Sequence, residues 1–343
     1  MKHIKTKILA TIGTICAKKH TMFLILIVIS NLALGQPPRG PIIVSPQVNS
    51  DKSVTFRYLA PLANEVKLSG QFQKAPVDMS RDSIGIWSVT VSSIKPDIYP
   101  YSFQVDGVTV MDPANVSFFP NERFKGSLVD VPGEPALIHA MKDVPHGSIT
   151  YEYYPSVENT TGSLVVYAPP DYDQNANKKY PVFYLISGTT DTEETWFKVG
   201  RTNLILDNLI ADGKAKPMII VMPYGNIKAR IAEQTLQPKP ADLTSREGAD
   251  ATARAKAFED DLVKNIIPYV EKNYRAMEGK ENRAIGGFSR GGGQTLRTAF
   301  NNIDKFSWVC AYSSYLSPQE MELNFKPIMR MLLTSTRNSS CSG

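Results

Sequence analysis

The chain has 343 residues, long enough for two domains, and its 42% apolar content is ordinary for a globular protein. Its formal charge of +5 is carried by Lys2, Lys5, Lys7, Lys18 and Lys19, in a stretch (1–35) with no Arg, Asp or Glu, so the remainder is neutral on balance. That balance excludes a nucleic-acid partner of the basic-patch kind.

In chain order, those lysines precede an apolar run at 22–29, and Ala33-Leu34-Gly35 supplies the small residues that a signal peptidase requires. Residues 1–35 are therefore expected to be a signal peptide on a secreted or periplasmic bacterial protein whose mature form starts near Gln36. The run is short for a transmembrane helix, so no stable membrane span is expected after cleavage. A second apolar patch at 8–17 lengthens the basic region and leaves Met22 as an alternative start. Cys16 follows Ile15 rather than a small residue, which weakens a lipoprotein reading. Cys310 and Cys341 remain after export and could pair, although Cys310 lies in an apolar run and is expected to pack as a small hydrophobe. No cysteine–histidine spacing points to a metal, and no cofactor is expected.

Residues 36–47 are proline-rich. From Ser53 the pattern alternates: 54–59, 65–70, 85–91 and 99–105, the last ending in the turn dipeptide Asp106-Gly107. Short alternating strands at this spacing predict a β-sandwich. Trp87, Tyr99 and Tyr101 could stack on sugar, but their place in alternating strands favours packing. Residues 112–147 read as a loop-rich connector, so the first domain with its connector is assigned to 36–135 and the second to 136–343.

The pattern then changes. Residues 163–168, 180–188 and 218–222 are nearly continuous apolar strands, separated by a helix at 204–210. A longer helix is predicted at 257–274, with Phe258, Leu262, Ile266, Val270 and Tyr274 on one stripe. Such alternation predicts a parallel sheet covered on both faces. A long polar loop is expected from Asn226 to Arg254, leaving a strand's carboxyl end where such sheets bind ligands.

Residues 283–294 hold the stretch on which function turns. Gly287-Phe288-Ser289-Arg290-Gly291 reads G-x-S-x-G, a nucleophile elbow, between a short apolar strand and a helix with Leu296, Ala299 and Phe300 inward. The serine needs a sharp strand-to-helix turn, and its neighbours two positions away must be small because strand and helix pass close there.

Four further stretches accompany the elbow: Val144-Pro-His-Gly147; Val166-Tyr-Ala-Pro-Pro-Asp-Tyr172; Tyr184-Leu-Ile-Ser-Gly188 with Glu194-Thr-Trp196; and Phe258-Glu-Asp-Asp-Leu262 through Ile267-Pro-Tyr-Val270. Together they resemble the bacterial esterase-D-like enzymes of carbohydrate esterase family 1, which include feruloyl and acetyl-xylan esterases. The first domain resembles the early-set immunoglobulin-like modules that precede some of those enzymes. The resemblance implies an early-set β-sandwich followed by an α/β-hydrolase domain, acting on acylated plant polysaccharide or oligosaccharide. It implies Ser289 as nucleophile, and an oxyanion hole of backbone N–H groups from Arg290 and from Gly188 or Thr189. Trp196 and Tyr224 stand as substrate-binding candidates. Two positions depart from the family pattern: Ser187-Gly188 replaces a His-Gly pair, and Arg290 replaces a methionine.

The triad is a further departure. In α/β-hydrolases the acid and the histidine follow the serine, but His3, His20, His139 and His146 all precede Ser289. Asp304 comes too soon after the elbow helix to serve as the acid. The tail from Met331 reads as the end of a truncated or frame-shifted hydrolase domain, and His146 as a connector residue and the first fallback base. The competing reading is a non-catalytic carbohydrate-binding protein with a degenerate hydrolase domain.

Overall fold

The computed structural model describes residues 40–236, 248–314, 316 and 325. The expected signal peptide, the tail from Met331 and Cys341 lie outside the described residues. Residues 40–44 carry no helix or strand, and the body of the protein starts at Ser45.

Nine short strands come first: β1 (Gln47–Val48), β2 (Val54–Leu59), β3 (Val66–Gly70), β4 (Val77–Asp78), β5 (Ser80–Arg81), β6 (Ile86–Val91), β7 (Asp97–Val105), β8 (Val108–Val110) and β9 (Ser127–Val131). They form two antiparallel sheets, β1-β2-β6-β5 and β4-β3-β7-β8, with β9 added beside β7. Every second side chain turns inward. Val54, Phe56 and Trp87 from one sheet meet Val66, Leu68, Tyr101, Phe103, Val129 and Val131 from the other in one buried core.

The three aromatics weighed as sugar platforms serve this core. Trp87 is buried and donates Nε1–H to Ala60 O (3.0 Å). Tyr101 is buried with its hydroxyl on Asp112 Oδ2 (2.7 Å), and Tyr99 packs edge-on against Phe72. β9 lies inside the span read as connector. Asp112 and Asn115 bind it to β7: Ser127 Oγ accepts the Asp112 N–H (3.0 Å), while Asn115 Nδ2 donates to Leu128 O (2.8 Å).

The third sheet contains β10 (Ser148–Pro155), β11 (Thr161–Ala168), β12 (Val182–Ile186), β13 (Ile219–Pro223), β14 (Arg283–Phe288) and β15 (Trp308–Tyr312), in the order β10-β11-β13-β12-β14-β15. It is not wholly parallel, as the sequence pattern implied. β13, β12, β14 and β15 run parallel, whereas β10–β11 and β11–β13 are antiparallel. Only five residues separate β10 from β11, too few for the crossover that a parallel pair needs. The strands read as continuous apolar runs because both faces are covered. Leu164, Val166, Tyr184, Ile186, Val221 and Ile285 face one core; Val165, Tyr167, Leu185, Ile220 and Met222 face the other.

Among the described residues, six α-helices flank this sheet: α1 (Thr195–Lys198), α2 (Thr202–Ala211), α3 (Ile227–Gln234), α4 (Gly248–Asp261), α5 (Ile267–Asn273) and α6 (Arg290–Asn301). The helix predicted at 257–274 is built from α4, a π turn (Leu262–Ile266) and α5. Ile267 N–H bonds Leu262 O, five residues back, and Pro268 has no amide to restore the tighter ladder. Phe258, Leu262, Ile266 and Val270 recur every four residues, which drifts on a 3.6-residue helix; the wider turn keeps all four buried.

The long loop expected from Asn226 to Arg254 is corrected at both ends: α3 fills 227–234 and α4 starts at Gly248, while 237–247 lies outside the described residues. Ile227, Ala229, Ile231 and Ala232 are buried. Arg230, in the same helix, is buried against Asp261 Oδ2 (3.0 Å).

Candidate active site

Three parallel strands end together at Ile186, Pro223 and Phe288, and the chain passes from β12 to β13 on one side and then to β14 on the other side of β12. Ligands bind at such a switch point in open α/β sheets. Ser289 stands there, between β14 and α6.

Its backbone has φ 81° and ψ −102°, a region that a residue with a Cβ occupies only under strain of about 1–3 kcal/mol. The turn is closed by Ser289 N–H to Tyr312 O (3.0 Å) and by Gly293 N–H to Ser289 O (3.1 Å). A Cβ at Gly287 would stand 2.4 Å from the Gly291 carbonyl, and one at Gly291 would stand 2.5 Å from Ile186 O. Both glycines are therefore required by close backbone approach, as the motif implied. Leu296 and Phe300 are only half-buried. α6 instead buries Gly291, Gly292, Gly293, Gln294, Thr295, Thr298 and Ala299, mostly small residues that fit close to the sheet.

The donor loop follows β12. Gly188 N–H does not face the site: it donates to Asp191 Oδ2 (3.0 Å). Thr189 N–H has no partner among the described residues. The other candidate, Arg290, opens α6 directly after Ser289. Ser187, in place of the family's histidine, is buried and ties the loop together through Oγ to Thr192 O (2.8 Å). Thr190 sits at φ 63°, unusual for a β-branched residue.

Tyr224 and Trp196 border the same region. Tyr224 follows β13, and its hydroxyl hydrogen-bonds the Glu122 carboxylate; burial, then that carboxylate, pushes its pKa well up. A Cβ at Gly225 would stand 2.7 Å from Arg290 Nη2, so the glycine lets this guanidinium lie on the turn. Gln294 Nε2 donates to Gly225 O (2.9 Å). Trp196, on α1, is half-buried with its ring 6.3 Å from that of Tyr312, the residue whose carbonyl closes the elbow.

Sequence reasoning missed Asp191, Asn121 and Glu122. Asp191 accepts from Asn121 Nδ2 (2.8 Å) as well as from Gly188. Burial raises its pKa, opposed by those hydrogen bonds and by Arg290. Asn121 and Glu122 lie in the connector, and only their loop position marked them.

No described histidine serves Ser289. His139 approaches Asp130 (4.0 Å) in the connector. His146 places Nδ1 3.0 Å from Asp207 Oδ2 and Nε2 3.1 Å from Lys142 O, so both ring nitrogens are engaged. It also lies at the wrong end of the sheet. Ile149, Tyr167, Ile220, Phe183 and Ala284 share one level across the strands, and Ser289 is five residues beyond Ala284, about 16 Å at roughly 3.3 Å per residue. His146 is three residues further on the opposite side, which removes it as a fallback base. Asp304 is exposed and paired with Lys305 (3.0 Å). Cys310 is a half-buried free thiol in β15. Among the described residues no His, Cys, Asp or Glu cluster could hold a metal, and no helix is long and apolar enough to cross a membrane.

The Esterase family model matches residues 158–338. A bifunctional endo-1,4-beta-xylanase/feruloyl esterase of Xylanibacter ruminicola is 30% identical over 289 residues, covering 81% of this chain; the chain spans 37% of that relative's length. Among solved structures, a ferulic acid esterase of Anaeromyces mucronatus is 29% identical (TM-score 0.44, 52% of this chain and 63% of that one). The enterobactin esterase FES of Shigella flexneri shares the fold across 83% of this chain and 76% of its own, with TM-score 0.53 at 13% identity.

Proposed function

The chain belongs to the Esterase family, and we propose that it is a carboxylic-ester hydrolase acting through an acyl-enzyme on Ser289. The observation that carries this reading is the strained Ser289 elbow, wedged between Gly287 and Gly291 at the carboxyl ends of three parallel strands. Ser289 Oγ attacks the ester carbonyl, and the oxygen that becomes an alkoxide is received by the amides of Thr189 and Arg290. Such donors act in a partly dry site and are worth about 10²–10³ in rate each. The leaving group is a sugar hydroxyl and the acyl group is feruloyl or acetyl, in keeping with the xylanase/feruloyl esterase to which the chain is 30% identical. The substrate is thus acylated xylan or its oligosaccharides. The early-set character of the sandwich and export after cleavage near Gln36 belong to the same reading; an N-terminus of Met1 or Met22 on protein from the native host would refute export.

A serine hydroxyl needs a positioned base. With no histidine after Ser289, the chain as given should hydrolyse esters only at the level of an oxyanion hole and binding, about 10³–10⁴-fold over water. Purified protein is assayed on an aryl acetate and on methyl ferulate beside Ser289→Ala. Slow hydrolysis lost in the variant supports the reading, and hydrolysis that ignores the variant overturns it. An ordinary enzyme rate lost on Ser289→Ala would reveal a base not accounted for here. The second reading is a non-catalytic carbohydrate binder. Retention of acetylated xylan with no serine-dependent hydrolysis would decide for it.

A further inference from the structure

The connector between the two domains does not run past the ester site; it enters it. Pro120 O accepts the hydroxyls of Thr195 (3.0 Å) and Thr192 (3.4 Å). Asn121 bridges to Asp191, backbone to backbone, and donates Nδ2–H to Asp191 Oδ1 (2.8 Å). Glu122 N–H donates to Thr190 O (2.7 Å), while its carboxylate takes the Tyr224 hydroxyl and Asn226 Nδ2 (3.1 Å to Oε2). Three residues thus hold both the loop after β12 and the turn after β13.

The orientation of the Asn121 amide is fixed by its neighbours. Oδ1 accepts the N–H groups of Arg123 and Phe124 (both 2.9 Å), so a flipped amide would set its oxygen against the Asp191 carboxylate and lose both. The loop it grips is strained. A β-branched residue at positive φ persists only where its surroundings over-determine it, and Thr190 is held at φ 63° by Glu122 on its carbonyl and by Asn121 through the adjacent Asp191. Asp191 in turn takes the Gly188 amide out of the site and leaves that of Thr189.

We propose that Asn121 and Glu122 are positioning residues of the ester site: they hold Thr190 in its strained turn and so aim Thr189 N–H at the oxyanion. This rests on the Ser289 reading above. The hydrolase domain then depends for its oxyanion hole on residues that precede its first strand, β10. A displacement of about 1 Å in such a donor costs on the order of 100-fold.

The test reads the oxyanion hole without needing a general base. Phenylboronic acid accepts an electron pair from Ser289 Oγ into the empty boron orbital; the serine proton passes to solvent, and one boron hydroxyl takes the oxyanion position. The tetrahedral adduct is followed by ¹¹B NMR and its Kd by titration, with near-UV circular dichroism as the check on folding. Wild type should form the adduct and Ser289→Ala should not; no adduct in wild type, or an equal one in Ser289→Ala, overturns the Ser289 reading and this inference with it. Asn121→Ala should raise Kd by about 10–100-fold with the fold retained. Wild-type affinity in a folded Asn121→Ala overturns the inference alone. Should Asn121→Ala not fold, the exchanged pair decides. Asn121→Asp sets two carboxylates together and should lose the adduct, and adding Asp191→Asn restores donor and acceptor and should recover it. An exchanged pair no better than Asn121→Asp overturns the inference.

Discussion

The buried pair Arg230–Asp261 offers a sharp test of what anchors the site turn. Asp261 has no exposed surface and accepts four hydrogen bonds: Tyr154 Oη (2.7 Å) and Arg230 Nη2 (3.0 Å) on Oδ2, Ser156 Oγ (2.6 Å) and Asn265 Nδ2 (2.9 Å) on Oδ1. Arg230, only 6% exposed, also reaches Ser156. Through these contacts Asp261 at the end of α4 fastens α3, which begins directly after the Tyr224–Asn226 turn, to β10 and the π turn.

Asp261→Ala would leave a guanidinium in a low-dielectric site without its counter-charge, and would strip three neutral donors of an acceptor. Breaking a buried ion pair from one side costs about 3–5 kcal/mol, against a total stability of about 5–15 kcal/mol for a folded domain. The urea midpoint should therefore fall by on the order of 1 M in tryptophan fluorescence or far-UV circular dichroism. Replacing both partners with apolar residues, Arg230→Met with Asp261→Leu, removes the stranded charge and should recover most of that loss. A loss below about 1 kcal/mol in Asp261→Ala, or a double variant less stable than the single one, would refute the reasoning.

Ser289→Gly should stabilise the protein by about 1 kcal/mol, because glycine adopts φ 81° without strain, while ending any serine-dependent chemistry; a lower melting temperature would show that the elbow is not strained. Asp191 adds a pH signature. Burial raises its pKa above the ordinary value, so between about pH 3.9 and the raised value the native state holds a proton that the unfolded chain has released. That contribution is present at the acid end and is lost as pH rises through the folded value. Asp191→Asn should therefore gain relative to wild type as pH rises through this window; parallel melting-temperature curves would refute it.

What the sequence revealed follows from how locally each feature is encoded. The elbow is encoded locally, in the strand, turn and helix of residues 283–294, and its glycines answer to backbone contacts that any such turn must make. The strands β11 to β14 were legible because burial on both faces leaves continuous apolar runs. Asn121 and Glu122 were not, since their partners Asp191 and Tyr224 lie 70 and 102 residues away and nothing in a polar connector signals them. The burial of Arg230 is equally non-local: its charge is cancelled by a residue 31 positions on. The π turn was hidden because a four-residue stripe looks helical until Pro268 is asked which amide it lacks.

Two non-glycine residues at positive φ, Thr190 and Ser289, stand in the loop after β12 and at the turn after β14. Each costs about 1–3 kcal/mol that a glycine would avoid. A domain that only bound polysaccharide would form no alkoxide, so it would have no use for the strain held in these two turns. Both conformations have a use if an alkoxide must be met by fixed amides as a serine attacks. The strain weighs toward the esterase reading and against the carbohydrate binder, and it places the open question on the base rather than on the nucleophile. A base supplied to Ser289 would find the amides of Thr189 and Arg290 already set, so turnover should rise without change in the donor loop.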